Sequence, residues 1–443
     1  MVYIMKKITV ALIWPRGEAM PLGFGYLVSN ASDRGDCEIR IVDCNIEDID
    51  ENSPQFMDLL NSIAPDVIGF FSYSSNFSLV LEMIKNVRRE YPESVVIIGG
   101  PHATISAETI IMQREVDFVF RGEAELSFPV FIDKLLNKDT DFSDVDGLVY
   151  KDSAGKPAFN EIALVSDLDD IKIPDYGAIN LNRYLDEEKY LYAKKGERWA
   201  PIYVTRGCPY KCEFCSASFI TSKKVRKHSV EYVVDWLKHL YHEFDIRGFN
   251  IIDDNFTFHR NFAKEFCRQV IMLGYDDVEF DSPNGIRMQR GDPELWHLMR
   301  KAGWRTVVVA PESGSDEMLK RMRKDLDINV AKRIIGEIKA SGLNVHGFFM
   351  VGYPGETQET LDETLAFIKE SGFHDISVTV FQPLPGTPIF QKLIENQQLD
   401  KGFQLSQFGC EEVVYHDDSL NGFDIKEFRY NARQHTLIKM MSS

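Results

Sequence analysis

Two stretches of this chain alternate short, β-branched apolar runs with amphipathic segments of helical period, and this alternation restricts the fold more than any other feature. Such a pattern predicts parallel sheets covered by helices rather than hairpin-built β structure. The first series fills residues 1–140, with strands expected at 8–13, 38–42, 67–70, 95–98 and 118–120. Helices are expected between them at 22–34, 53–63, 76–90, 104–114 and 124–137. Five strands fit an α/β, doubly wound flavodoxin- or Rossmann-like sheet, whose ligand crevice lies at the carboxyl ends of the strands. Glycine and proline punctuate those ends, in Pro15-Arg16-Gly17 and in Gly99-Gly100-Pro101-His102.

The second series fills residues 200–388, with strands expected at 202–205, 248–252, 278–282, 306–309, 344–350 and 375–381. Its helices are expected at 229–244, 259–273, 292–302, 315–323, 328–341 and 358–371. Six βα units without a return into hairpins predict a partial (β/α)6, TIM-like barrel, with functional residues on the loops after the strands. Residues 141–199 read as a connector: a hairpin about the turn Asp152-Ser153-Ala154-Gly155, then a linker around Pro174-Asp175-Tyr176-Gly177. Residues 389–443 read as a short C-terminal extension with one helix at 425–440.

The loop after the first strand of the second series carries Cys208, Cys212 and Cys215, spaced Cys-x-x-x-Cys-x-x-Cys. Thiolates are soft ligands suited to iron–sulfur clusters and zinc. Three of them with no fourth nearby leave one metal position free. A structural zinc site closes its shell with four ligands, and His228 lies where it would complete a Cys3His set. The other cysteines, Cys37, Cys44, Cys267 and Cys410, are scattered, and seven is an odd number for a disulfide framework. Exposed thiolates require a reducing compartment, so a cytoplasmic location is expected. The formal charge of -18, from 68 acids against 50 bases, disfavours nonspecific binding to nucleic acid or anionic membranes. No uncharged apolar run reaches about 18 residues, so no transmembrane segment is expected.

The loop's Phe214 is followed, strand end by strand end, by a series of polar or glycine-rich clusters. They are Asp253-Asp254-Asn255-Phe256, Ser282-Pro283-Asn284-Gly285-Ile286-Arg287, Glu312-Ser313-Gly314-Ser315, Gly352-Tyr353-Pro354-Gly355-Glu356 and Gln382-Pro383-Leu384-Pro385-Gly386. Each alone is weak evidence, since a Glu-Ser-Gly-Ser segment also suits a helix N-cap, and Asp292 before Pro293 reads as a cap too. In order, each after a strand, they resemble the radical S-adenosylmethionine (radical SAM) enzymes. Pro21-Leu22-Gly23-Phe24-Gly25, Gly99-Gly100-Pro101-His102-Ala103 and Phe120-Arg121-Gly122-Glu123-Ala124-Glu125 resemble the cobalamin-binding domain that precedes many radical SAM domains. The resemblance covers about 1–140 and 200–388, and on it the chain is identified as a member of the radical SAM enzymes with an N-terminal cobalamin-binding domain.

That resemblance implies a [4Fe-4S] cluster on Cys208, Cys212 and Cys215, with SAM on the fourth iron. It implies SAM contacts from Phe214, Asp254, Asn255, Asn284, Arg287, Glu312, Ser313, Gly352 and Gly355. Arg287 is a fork suited to the methionyl carboxylate, and Gly352 and Gly355 lie beside the adenine. For cobalamin it implies Ser72 and Tyr73 at the ring and Gly99 and Gly100 in the cleft for the nucleotide tail. The Asp-x-His-x-x-Gly motif that supplies a lower axial histidine in some cobalamin domains is absent after the first strand. His102 is open to two roles, a hydrogen-bonding turn residue or an axial ligand. The implied reaction is methylation of an unactivated carbon or phosphorus by way of a 5′-deoxyadenosyl radical and methylcobalamin. The alternatives are cyclisation, ring rearrangement or carbon–carbon bond formation with cobalamin in a non-methylating role, and a non-catalytic iron–sulfur or corrinoid sensor. The implied partners are a small-molecule, lipid or peptide substrate and an external electron donor such as flavodoxin or ferredoxin, with no nucleic acid. No residue stands out as the catalytic hydrogen donor.

Overall fold

The apolar runs of the first series pair as parallel strands. They are β1 (Ile8–Trp14), β2 (Cys37–Asp43), β3 (Val67–Phe71), β4 (Val95–Gly99) and β5 (Phe118–Phe120), in the order β2-β1-β3-β4-β5. This is the flavodoxin-like doubly wound order. In this computed structural model residues 7–436 are described, except 18, 33–34, 401–402, 404–414, 416–419 and 421–422. Successive side chains of a strand point to opposite faces, and β1 shows why both faces need cover. Ala11 and Ile13 join one core with Val80, Ile84 and Ile110, while Val10, Leu12 and Trp14 join another with Phe24, Phe128 and Phe131. Helices Leu22–Ala31, Pro54–Ile63, Phe77–Glu90, Pro101–Ile111 and Ser127–Leu136 supply that cover.

The chain divides into two compact units at Gly196/Glu197. The stretch expected to be a connector therefore belongs with the first unit. Its hairpin, β6 (Leu148–Lys151) and β7 (Pro157–Phe159), continues the sheet beyond β5 as two antiparallel strands. The expected linker is anchored as well, because Leu168, Ile171, Tyr176, Ile179, Leu181 and Tyr184 are all buried. The Tyr184 hydroxyl donates to the buried Asp43 carboxylate at 2.6 Å, and Asp175 accepts from Ala178 N–H in a turn that packs on Gly25. Proline and charge around 174–189 disguised an apolar set spaced too irregularly to show a period.

The second unit contains β8 (Trp199–Ile202), β9 (Thr205–Arg206), β10 (Arg226–Lys227), β11 (Gly248–Ile251), β12 (Glu279–Asp281), β13 (Thr306–Glu312), β14 (Asn344–Val351) and β15 (Asp375–Val380). Strands β8, β11 and β12 pair in parallel, as do β13, β14 and β15. Parallel bridges Phe280↔Trp304 and Ile286↔Val309 bring β12 beside β13. Six strands thus follow one another in chain order, as in a partial (β/α)6 barrel. The short antiparallel pair β9·β10 frames the cysteine loop. Strand β13 runs three residues further than expected, through a register shift between Val309 and Glu312, and Glu312 takes a left-handed φ of 72°. The helix after Asp292 starts at Pro293 with the Asp292 carboxylate accepting from Leu295 N–H at 2.9 Å, as read from the sequence. The extension contributes helices Pro388–Glu395 and Ile425–Arg433; the end of the expected helix 425–440 lies outside the described residues.

Candidate active site

The cysteine loop leaves β9 through Gly207, whose φ of 105° belongs to the left-handed region and whose Cβ would lie 2.4 Å from Lys224 O. Only glycine fits there. The loop is then tied down on several sides. Cys208 N–H donates to Ser222 O at 2.9 Å, and Glu213 N–H donates to Met322 O at 3.0 Å. The buried Glu213 carboxylate accepts from Lys392 Nζ at 2.7 Å and from Arg323 Nε at 2.9 Å. Asp253, fully buried, accepts from Val204 N–H at 2.7 Å and Thr205 N–H at 2.8 Å, so it fastens the β8–β9 junction to the end of β11. Burial pushes its carboxyl up to about 7 against those two bonds. Asp254 accepts from the Thr221 hydroxyl at 2.5 Å and lies close enough to Cys208 to repel its thiolate.

The three thiols are neighbours. Burial, and then the proximity of Cys212 and Cys208, pushes Cys215 up to about 12; burial also raises Cys208. Coordination to a metal removes the proton of a thiol. Among the described residues no three His, Cys, Asp or Glu side chains converge as ligands of one metal ion. A cubane does not require convergence, because each thiolate takes a different iron, whereas a mononuclear zinc site does. His228 is buried, stacked on Tyr232 at 4.6 Å and edge-on to Trp236, within the core under helix Val230–Glu243. The cysteines fit a cluster.

Around the loop the strand ends deliver the other residues singled out from the sequence. Arg287 lies against Cys212, with Nη1 at 3.8 Å from the sulfur and the guanidinium carbon 3.7 Å from the centre of the Tyr210 ring. Its other nitrogen donates to the carbonyls of Lys324 and Asp325. Glu312 pairs with Lys324 at 2.8 Å, both largely buried, and the Lys324 ammonium lies 5.7 Å from the centre of the Phe214 ring. Phe214 in turn meets Tyr353 edge-on at 6.5 Å. Asn255 is buried, and neither end of its amide has a partner among the described residues. The buried Tyr353 hydroxyl also has none. Unpaired polar groups of this kind mark where a bound molecule supplies the missing bonds. Gly352, at φ 80°, donates its N–H to Glu356, whose carboxyl burial pushes up to about 8; Gly355 shares the left-handed conformation. Asn284 donates to Ile252 O at 2.8 Å and ties two strand ends together. Ser313 is engaged within the fold. Fully buried, it hydrogen-bonds Thr364 at 3.1 Å and accepts from Ser315 N–H, so its hydroxyl packs the loop onto helix Gln358–Ser371.

In the first unit the carboxyl ends of β1, β3 and β4 form an aromatic and glycine-lined edge. Trp14, Phe71 and Tyr73 cluster there, with Trp14 and Phe71 tilted by 33° at a centroid distance of 4.3 Å and Tyr73 edge-on to Phe71 at 4.8 Å. Gly100, at φ 98°, leaves no room for a Cβ, which would meet Phe71 and Ser72 O at 2.9 Å. Ser72 is buried and bonded to Gly99 O. An aromatic cluster beside two glycines at the carboxyl ends of parallel strands is where a doubly wound sheet binds its ligand. His102 Nδ1 bonds the Ser74 hydroxyl at 3.0 Å, and its ring packs on Phe77 at 4.3 Å. His102 lies in the first turn of helix Pro101–Ile111. Reading the sequence did not single out Tyr210, Lys324 or Lys392, whose importance comes from contacts across the fold.

Comparison with known proteins agrees with both units. Residues 202–368 match the Radical SAM superfamily and residues 8–132 match the B12 binding domain. An uncharacterised methyltransferase of Pyrococcus horikoshii is 27% identical over 406 residues, covering 89% of this chain and 85% of that protein. Cytidylyl-2-hydroxyethylphosphonate methyltransferase of Streptomyces wedmorensis is 28% identical over 467 residues, covering 94% and 86%. Anaerobic magnesium-protoporphyrin IX monomethyl ester cyclase of Rubrivivax gelatinosus is 27% identical over 388 residues, covering 86% and 66%. Among solved structures, the radical SAM methyltransferase TsrM of Kitasatospora setae shares the fold, with a TM-score of 0.72 at 17% identity, over 88% of this chain and 76% of that one.

Proposed function

We propose, from the premise that this chain belongs to the radical SAM superfamily and carries a B12-binding domain ahead of its radical SAM domain, that it methylates an unactivated carbon or phosphorus centre. The observation that carries the reading is that one chain has both a three-cysteine loop after the first barrel strand and, in its first unit, a doubly wound sheet with aromatic residues and glycines at its strand ends. When bound, the cluster supplies the electron that cleaves SAM, and the corrinoid supplies the methyl group.

The chain's own part is positioning and exclusion of water. Cys208, Cys212 and Cys215 hold three irons; Asp253 and Glu213 keep their loop in place through the bonds described above. Phe214 and Tyr353 wall the SAM side with apolar surface, which keeps water from quenching a carbon radical. Asn255 and the Tyr353 hydroxyl are the buried groups that gain partners when SAM or substrate enters. Glu312, Asp254, Asn284, Gly352 and Gly355 are assigned to the SAM surround. Ser72, Tyr73, Gly99 and Gly100 are assigned to the corrinoid. The methyltransferase relatives support this reading over the cyclase one, because they cover more of their own length. An external low-potential donor, such as a flavodoxin or ferredoxin, is needed for turnover.

The test is anaerobic reconstitution with iron, sulfide and hydroxocobalamin, followed by product analysis with SAM and candidate substrates. S-adenosylhomocysteine formed together with 5′-deoxyadenosine supports methylation. Deoxyadenosine alone, with a cyclised or rearranged product, replaces it by the cyclase reading. No SAM cleavage under a strong reductant favours a sensor.

A further inference from the structure

We infer that Arg287 is an outer-shell donor to the Cys212 sulfur that raises the reduction potential of the cluster, rather than the partner of the methionyl carboxylate. The inference rests on the cluster assignment above and refines it. Resemblance gave Arg287 a free fork; the structure shows the fork engaged. One guanidinium nitrogen faces Cys212 Sγ at 3.8 Å, another donates to the Lys324 and Asp325 carbonyls, and the planar group is stacked on Tyr210 at 3.7 Å. Tyr210 lies in the cysteine loop itself, and its hydroxyl is held in turn by Arg290 Nε at 2.7 Å. The guanidinium is therefore fixed against the loop from three directions.

The backbone that fixes it is strained for the purpose. Arg323 and Asp325 both adopt left-handed φ, 50° and 52°, on either side of Lys324. Such conformations are disfavoured for residues other than glycine and persist where surrounding contacts demand them. Here they turn the carbonyls of Lys324 and Asp325 toward Arg287, while the Lys324 ammonium goes to Glu312.

The charge on Arg287, beside the Cys212 sulfur, has no buried carboxylate as ion-pair partner among the described residues. Lys324, by contrast, has the buried Glu312, and Arg323 and Lys392 share the buried Glu213. The acid nearest to Arg287, Asp325, is 3.7 Å away with its carboxylate 89% exposed, so water screens it. A buried cation, with an N–H aimed at a thiolate, favours the cluster state that carries the extra electron. Removing it makes the cluster harder to reduce.

The experiment is a potentiometric titration of the reconstituted full-length protein without SAM, followed by electron paramagnetic resonance, for wild type, Arg287→Met and Arg287→Lys. Iron and sulfide content and SAM affinity are measured on the same samples. The expected result is full cluster content with a lower midpoint in Arg287→Met. The expected shift is at least tenfold in the reduction equilibrium, about 59 mV for one electron. Arg287→Lys is expected to fall between, since it keeps the charge but loses the planar donor. An unchanged SAM-free midpoint with weakened SAM binding overturns the inference in favour of the carboxylate role. Loss of the cluster from both variants also overturns it, by making Arg287 a structural part of the loop. Absence of a cluster in the wild type would instead remove the functional reading itself.

Discussion

Lys324→Met isolates the buried ion pair beside the cysteine loop and gives a stability change that can be sized. Lys324 and Glu312 lie 2.8 Å apart with side chains only 13% and 12% exposed. Methionine keeps the volume but leaves the Glu312 carboxylate buried without its cation. Removing one partner of a buried pair costs about 3–5 kcal/mol, and the residual exposure argues for the lower end, about 3 kcal/mol. Water cannot easily reach the stranded carboxylate, and its backbone is held in a left-handed conformation that limits relief. For a unit of this size that corresponds to a fall in Tm of roughly 6–12 °C. Replacing both partners, Lys324→Met with Glu312→Met, removes the stranded charge and should recover most of the loss. Urea unfolding of the apoprotein, followed by far-UV circular dichroism, measures the double-mutant cycle. A single variant within 1 kcal/mol of wild type, or a double variant no more stable than the single, would refute the reasoning.

Three further outcomes are expected. Alanine at any of Cys208, Cys212 or Cys215 should abolish the cluster's absorption and SAM cleavage while leaving the far-UV spectrum unchanged; a retained cluster spectrum contradicts the metal assignment. Tyr184→Phe should lower apoprotein stability by about 1–3 kcal/mol, because it leaves the buried Asp43 short of a donor; a urea midpoint equal to wild type argues against the anchoring of residues 168–184. Burial holds His102 at about 4, below the ordinary imidazole value of 6.5. The unfolded chain therefore takes up the proton first on acidification, and the stability this histidine contributes is full above about pH 6.5 and lost as pH falls toward 4. The loss is on the order of 3 kcal/mol. His102→Gln should flatten the stability–pH curve between pH 7 and 4.5, and equal slopes for the two proteins would exclude the imidazole as its source.

The cluster loop was legible because cysteine spacing on a short segment fixes where thiols can lie, whatever the rest of the chain does. The strand-end clusters were legible for a related reason: a parallel βα repeat delivers every such loop to the same end of the sheet. Resemblance placed Arg287 and Ser313 among the SAM contacts. It could not show that each side chain is also engaged by a segment distant in sequence, Lys324 and Asp325 for one and Thr364 for the other.

The sequence by itself determined the two alternating series, their parallel sheets and the metal-binding spacing, because periodicity and strand-end punctuation are local properties. Only the tertiary structure decided that residues 141–196 complete the first unit rather than bridge it, and that the extension's Lys392 buttresses the cluster loop. It also placed the Arg287 guanidinium against the Cys212 sulfur. These depend on contacts such as Asp43 with Tyr184 and Glu213 with Lys392, which span 141 and 179 residues of chain. Desolvation of those charges, and so their pairing, exists only once the fold has closed around them.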